Sequence, residues 1–190
     1  MKKIFFLLFA AFFLSAVINA QTSIGFESLN RISLKTGYVT PIGTIYGRWM
    51  PENSQFGVSV WSLTQPGWAE VYPGIIYAPT KWLEFNASFG IETGGKTWRS
   101  GASVWMGNGK ISFFSCWEKG GGGNDNYWYL NRLNFNFSKK FGAGLKAMRY
   151  HGWGPELLLS PNKRVTITMA FLYDLEAKVF NGQYALKVKF

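Results

Sequence analysis

Through most of this chain apolar side chains return at every second position, and the three-and-four spacing of an amphipathic helix is absent. The clearest run is Trp82 to Glu92. Leu83, Phe85, Ala87, Phe89 and Ile91 fall on one face, and Glu84, Asn86, Ser88, Gly90 and Glu92 on the other. Arg164 to Asp174 repeats the pattern, with Val165, Ile167, Met169, Phe171 and Tyr173 opposing Thr166, Thr168, Ala170, Leu172 and Asp174. A period of two dictates strands, and about ten residues is the length of a tilted strand that crosses a bilayer.

The end of the chain carries the same signal. Tyr184, Leu186, Val188 and Phe190 alternate with Gln183, Ala185, Lys187 and Lys189. This closing run resembles the C-terminal strand of bacterial outer-membrane β-barrel proteins. The resemblance implies an all-β fold, a closed antiparallel up-and-down transmembrane β-barrel. It further implies that Tyr184, Leu186, Val188 and Phe190 form the assembly signal read by the barrel-assembly machinery. The apolar face would then meet lipid.

The beginning fits export. Lys2 and Lys3 precede an apolar run from Ile4 to Val17, which is shorter than the roughly 20 residues a spanning helix needs. Residues 1–20 read as a Sec-type signal peptide cut after Ala20, with Ile18 a less usual occupant of the cleavage region. Residues 21–190 are then one barrel domain in the outer membrane of a Gram-negative bacterium. Gln21, not a cysteine, stands directly after the cut, which argues against a lipid anchor. The single cysteine, Cys116, cannot form an intramolecular disulfide and reads as a small filler within a strand.

Composition narrows the choices further. Charged residues make up 16% of the chain, against about 25% in ordinary soluble domains, and aromatics make up 18%. The formal charge of +10 loses two when Lys2 and Lys3 are removed. The remaining Lys and Arg are scattered singly among strands and turns, without a nucleic-acid-binding motif, so rim cations are expected to meet lipopolysaccharide phosphates. Paired Cys or His sets and a phosphate-cradling loop are also missing, so neither a metal nor a cofactor is expected.

Counting back from Phe190 predicts strands near 182–190, 164–174, 155–160, 141–150, 126–138, 110–118, 97–106, 82–92, 69–78, 55–63, 42–50 and 30–38. Twelve strands are favoured, with ten or eight as alternatives. Residues 21–29 are read as an N-terminal segment or an extension of the first strand, and Pro41 and Gly43 are placed in a turn. Tight turns at 51–54, 79–81, 108–109, 138–140 and 161–163 alternate with looser loops at 64–68, 93–96, 119–125, 150–154 and 175–182. Gly120 to Gly123 reads as a flexible loop. The aromatics Trp49, Trp61, Trp68, Tyr77, Trp82, Trp98, Trp117, Tyr127, Trp153 and Tyr173 are assigned to interfacial girdles. A secreted β-sandwich or lipocalin shares the alternation, but its exterior would need more Lys and Glu than these polar faces hold.

The same alternation sends Arg48, Glu70, Glu84, Glu92, Arg99, Arg132, Lys146, Glu156 and Asp174 inward, as lumen-lining candidates. Arg48, Arg99, Arg132 and Lys146 would favour anions, and Glu70, Glu84 and Glu92 would oppose them. Two functions follow. One is a passive channel for small polar solutes, partly obstructed by Tyr46, Trp105 and Trp128. The other is a closed structural or adhesion-type barrel whose lumen charges neutralise one another. In either case the barrel is expected to be a monomer. A lipid-modifying enzyme is a third. Arg149 to Trp153 is faintly similar to the His-x-Ser rim of lipid A deacylases, but Trp153 stands where the serine nucleophile belongs, and His151 is the only histidine.

Overall fold

The computed structural model describes residues 20–94, 97–123 and 125–190. Residues 1–19, on which the signal-peptide expectation falls, lie outside the described residues.

Twelve strands follow one another: β1 (Ala20–Ser33), β2 (Val39–Pro51), β3 (Phe56–Gln65), β4 (Trp68–Thr80), β5 (Leu83–Glu92), β6 (Thr97–Gly107), β7 (Ile111–Gly120), β8 (Tyr127–Asn136), β9 (Phe141–Met148), β10 (Gly152–Leu159), β11 (Val165–Asp174) and β12 (Val179–Lys189). Each pairs antiparallel with its sequence neighbours, and β12 closes onto β1. The closing seam runs from Gly25↔Lys189 to Ser33↔Asn181, and the Phe190 amide donates to the Ile24 carbonyl at 2.9 Å. Closure leaves no edge strand, so every ladder has a partner on both sides.

The first strands depart from the sequence reading. β1 begins at Ala20 and ends at Ser33, and residues 34–37 form the turn that alternation had absorbed into the strand. Pro41 and Gly43 lie within β2, opposite Asn30 and Ser28. Tertiary pairing overrides the turn signal of proline. Elsewhere proline leaves a visible trace: the β4–β5 ladder omits Tyr72 and Pro73, and the β10–β11 ladder omits Gly154 and Pro155, without a change of register at either gap. Proline has no N–H to give the ladder. The strands crowd together there, and glycine is the residue that fits. A Cβ on Gly90, opposite Tyr72, would lie 1.9 Å from the Val71 carbonyl oxygen, and one on Gly154 would lie 2.0 Å from that of Phe171.

The exterior is apolar. Ile75 is 64% exposed, Phe89 61% and Ile91 64%, values that would be untenable for a water-facing sheet but suit contact with hydrocarbon. Stacked rings reinforce this surface, including Phe56 on Tyr77 at 4.9 Å and Phe171 on Phe180 at 5.0 Å. Two of the expected girdle residues are not there. Trp61 faces inward and packs on Tyr72 at 5.4 Å, and Trp68 lies beneath the Arg99 guanidinium, also at 5.4 Å. Both follow the parity of Glu70, so the register places them inside.

Candidate solute pathway

Within the strands, register places every charged residue of the described set on the inward face except Lys119, which sits at the rim end of β7 and donates to the Gly123 carbonyl. This segregation has a physical cause. A lysine or arginine facing the middle of the hydrocarbon would cost about 2–4 kcal/mol. The inward charges gather in three tiers between the end that carries turns 34–38, 66–67, 149–151 and 175–178 and residues 93–94, 121–123 and 125–126, called the outer end after the longer outer loops expected from the sequence, and the opposite end, where the first and last strands terminate.

Near the outer end, β4 to β7 bring Glu70, Glu92, Arg99 and Glu118 together. Arg99 Nη1 donates to Glu92 Oε2 at 2.7 Å and to Asn126 Oδ1 at 2.8 Å. Its Nε lies 3.1 Å from Glu70 Oε2 and 3.3 Å from Glu118 Oε2. The Tyr72 hydroxyl is 2.6 Å from Glu70 Oε2 and 3.0 Å from Glu118 Oε2, with one proton to give. Three buried carboxylates thus share one guanidinium. Asn126 also ties the adjacent loop down, donating to Glu92 Oε1 and to the Gly121 carbonyl. The glycine-rich stretch is consequently held at several points, where composition had suggested a free loop.

The middle tier crosses the barrel. Arg132 on β8 reaches Glu156 on β10 at 3.2 Å and Glu27 on β1 at 3.8 Å. Lys146 on β9 lies 3.8 Å from Glu156 and donates to Gln183 Oε1 on β12 at 2.6 Å. Lys187 approaches Glu27 at 3.9 Å and sits 4.7 Å from the centre of the Tyr46 ring. Beside this belt, Leu29, Ile42 and Ala185 form a small apolar cluster with Leu63 inside the barrel. Glu156 and Leu172 are almost fully buried on inward registers, so side chains fill the section between the two upper tiers.

The third tier lies toward the opposite end. Arg48 of β2 pairs with Glu84 of β5 at 2.8 Å, across the two intervening strands β3 and β4, beside a cavity of about 580 Å³ lined by Arg48, Asn53, Lys81, Glu84 and Trp105. The interior is therefore a vestibule at one end and a packed, ion-paired section at the other.

Asp174 plays a different part from the other candidates. Its Oδ1 accepts the amides of Glu176 and Ala177, which makes it the cap of the β11–β12 turn. The sequence reading omitted Glu27, Glu118 and Lys187. Glu27 lies in a segment not assigned to a strand of its own, but Glu118 has the opposite parity to the girdle residue Trp117 and Lys187 alternates with the lipid-facing Leu186 and Val188, so strict extension of the alternation finds both.

His151 closes the turn between β9 and β10. It is buried, and its Nδ1 lies 2.6 Å from Gln183 Nε2, while its carbonyl accepts from Asn181 Nδ2 at 3.0 Å. Gln183 uses its oxygen for Lys146, so its amide nitrogen donates to an unprotonated Nδ1. Burial, then the charges of Arg31 and Lys146, push the imidazole down to about 3. Between about 3 and 6.5 an unfolded chain holds a proton that the native one does not, so stability falls as pH drops through that window. The expected slope is at most about 1.4 kcal/mol per pH unit. Urea midpoints measured from pH 7 to pH 4 for the wild type and His151→Gln should diverge on the acid side, with the variant the less pH-sensitive; parallel curves would refute this.

A KdgM porin covers 88% of this chain and 99% of its own, at 12% identity and a TM-score of 0.58. The fold is that of outer-membrane porins. A second KdgM porin structure, in complex with disordered oligogalacturonate, matches at 13% identity and a TM-score of 0.56, over 88% of this chain and 98% of its own. The Acinetobacter baumannii outer membrane protein Omp33 matches at 8% identity and a TM-score of 0.51, over 92% of this chain and all of its own. No protein-family model and no curated protein matches the sequence. The porin-like barrel expected from the alternation is thus the observed one, with the favoured count of twelve strands.

Proposed function

We propose that this protein is a small outer-membrane porin, a passive channel for small polar solutes in a Gram-negative envelope. One observation carries the reading: a closed twelve-stranded barrel turns its apolar side chains outward and nearly all its strand charges inward. A wall built for lipid around a charged interior is the arrangement a selective pore needs. Barrels of about eight strands are filled by their side chains, and wider ones admit water. In this reading the vestibule opens toward the periplasm, lipopolysaccharide surrounds the outer rim, and the outward face of β12 with Phe190 serves the assembly machinery. The protein acts as a monomer.

The bound oligogalacturonate of the similar KdgM structure is a polyanion. Here the lumen mixes both signs in close pairs, which supports small polar solutes of either sign over a dedicated polyanion path. A second reading rests on the middle tier. Arg132, Glu27 and Glu156 join β1, β8 and β10 across the interior, as a closed structural barrel would require. Catalysis is not part of the proposal, since His151 meets an amide in place of a hydroxyl nucleophile.

Liposome swelling with sugars of graded size, together with conductance in planar bilayers, separates the two. The channel predicts swelling that falls with solute size and discrete conductance steps. Background conductance with no swelling would leave the closed barrel standing and remove the channel.

A further inference from the structure

The cations outside the lumen are unevenly placed. Four consecutive turns at the end opposite the outer rim carry Lys81, which also borders the mouth of the vestibule, and Lys110, Lys139, Lys140, Lys163 and Arg164. All six are exposed, and Glu52 is the lone acidic residue in the turns at that end. Among the described residues none of the six takes part in an ion pair, whereas Arg48, Arg99, Arg132, Lys146 and Lys187 inside the barrel are all paired. At the outer end Arg149 is already engaged by Asp125 and by the rings of Tyr127 and Tyr150. The turns at the basic end are short, so their charges stand directly beside exposed aromatic side chains that suit the interface: Trp82, Phe137 and Phe141.

Like charges arranged along an arc repel one another unless an anion lies between them. Among the described residues no carboxylate lies within ion-pair distance of any of the six. We infer that this arc binds the phosphates of anionic phospholipids in the membrane leaflet at that end. The inference rests on the outer-membrane reading above, in which that leaflet faces the periplasm, and it redirects the bulk of the unpaired charge from lipopolysaccharide to phospholipid. Each surface cation contributes about 1 kcal/mol to the attraction of an anionic membrane, and the effect fades within a Debye length. The aromatic collar fixes the depth of the barrel, and the arc then adds preference for headgroup charge.

The test compares thermal unfolding of the barrel in vesicles of phosphatidylcholine alone and with about one-third phosphatidylglycerol, where the surface becomes strongly anionic. The wild type should gain several degrees in the anionic vesicles. The gain should vanish at about 1 M sodium chloride, where the Debye length is about 3 Å. A combined variant, Lys139→Gln, Lys140→Gln, Lys163→Gln and Arg164→Gln, should lose most of the gain while unfolding normally in phosphatidylcholine. Lys35→Gln with Lys178→Asn, at the outer end, should keep it. An equal gain in both variants overturns the inference, as does a gain lost through the outer pair. Soluble polyphosphate that stabilises the wild type equally in phosphatidylcholine vesicles would overturn the assignment to lipid. A barrel that fails to insert into either vesicle would instead refute the membrane reading itself, which keeps the two failures distinct.

Discussion

Replacing Arg99 by alanine is expected to cost the barrel about 3–5 kcal/mol of stability, the penalty for stripping the partner from a buried ionic network. The reason is specific to the outer tier. Arg99 is the one cation among Glu70, Glu92 and Glu118, and it is also the partner of Asn126, which tethers the following loop. Without it, three buried carboxylates face one another, and the Tyr72 hydroxyl can satisfy one of them. Urea unfolding followed by tryptophan fluorescence, or by the gel mobility shift of heated barrels, would measure the loss. Adding Glu118→Gln should recover part of it, because the second substitution removes like-charge repulsion. Arg99→Ala alone with near wild-type stability would show that the cluster is already neutralised by protons or ions and that Arg99 is dispensable.

Shortening Arg132 should act on passage more than on folding. Its side chain joins β8 to both β1 and β10, and it is the widest-reaching strut of the middle tier. Arg132→Ser removes that strut and leaves Glu27 and Glu156 with the lysines Lys187 and Lys146 at 3.9 and 3.8 Å. Single-channel conductance is expected to rise severalfold, and the reversal potential in a salt gradient should shift toward cation preference, because the lining loses a positive charge. The combination tests the mechanism. A rise in conductance without a change in selectivity would mean that Arg132 obstructs by volume alone. Unchanged conductance would move the constriction to the outer tier around Tyr72 and Arg99.

These two substitutions also mark the boundary of what could be read before folding. Both arginines were assigned inward from alternation, since parity along a strand decides the face of the sheet. That logic also placed Glu70, Glu92, Lys146 and Glu156 inside. It went astray where local signals competed with it. Pro41 suggests a turn, yet β2 carries it opposite Asn30 of β1 and beyond the β2–β3 ladder, which begins at Gly43, where a proline is tolerated. Residues 34–37 continued the alternation of β1 but form the turn. Trp61 and Trp68 were assigned to the interface by residue type, although their parity with Glu70 places them in the lumen, where they pack against Tyr72 and Arg99.

The one-dimensional pattern contains the architecture because a bilayer enforces it. Any strand of this length must satisfy its backbone laterally, send its apolar parity to lipid and hide its charges, and those demands are readable one residue at a time. Pairing between distant strands is of another kind. That Arg132 meets Glu27, that Tyr72 reaches Glu118, and that Gln183 joins Lys146 to His151 depend on the register around the whole ring and on how far each side chain extends into a shared interior. Alternation carries no information about either, so the division into an open vestibule and a packed, ion-paired section emerges when the twelve strands close.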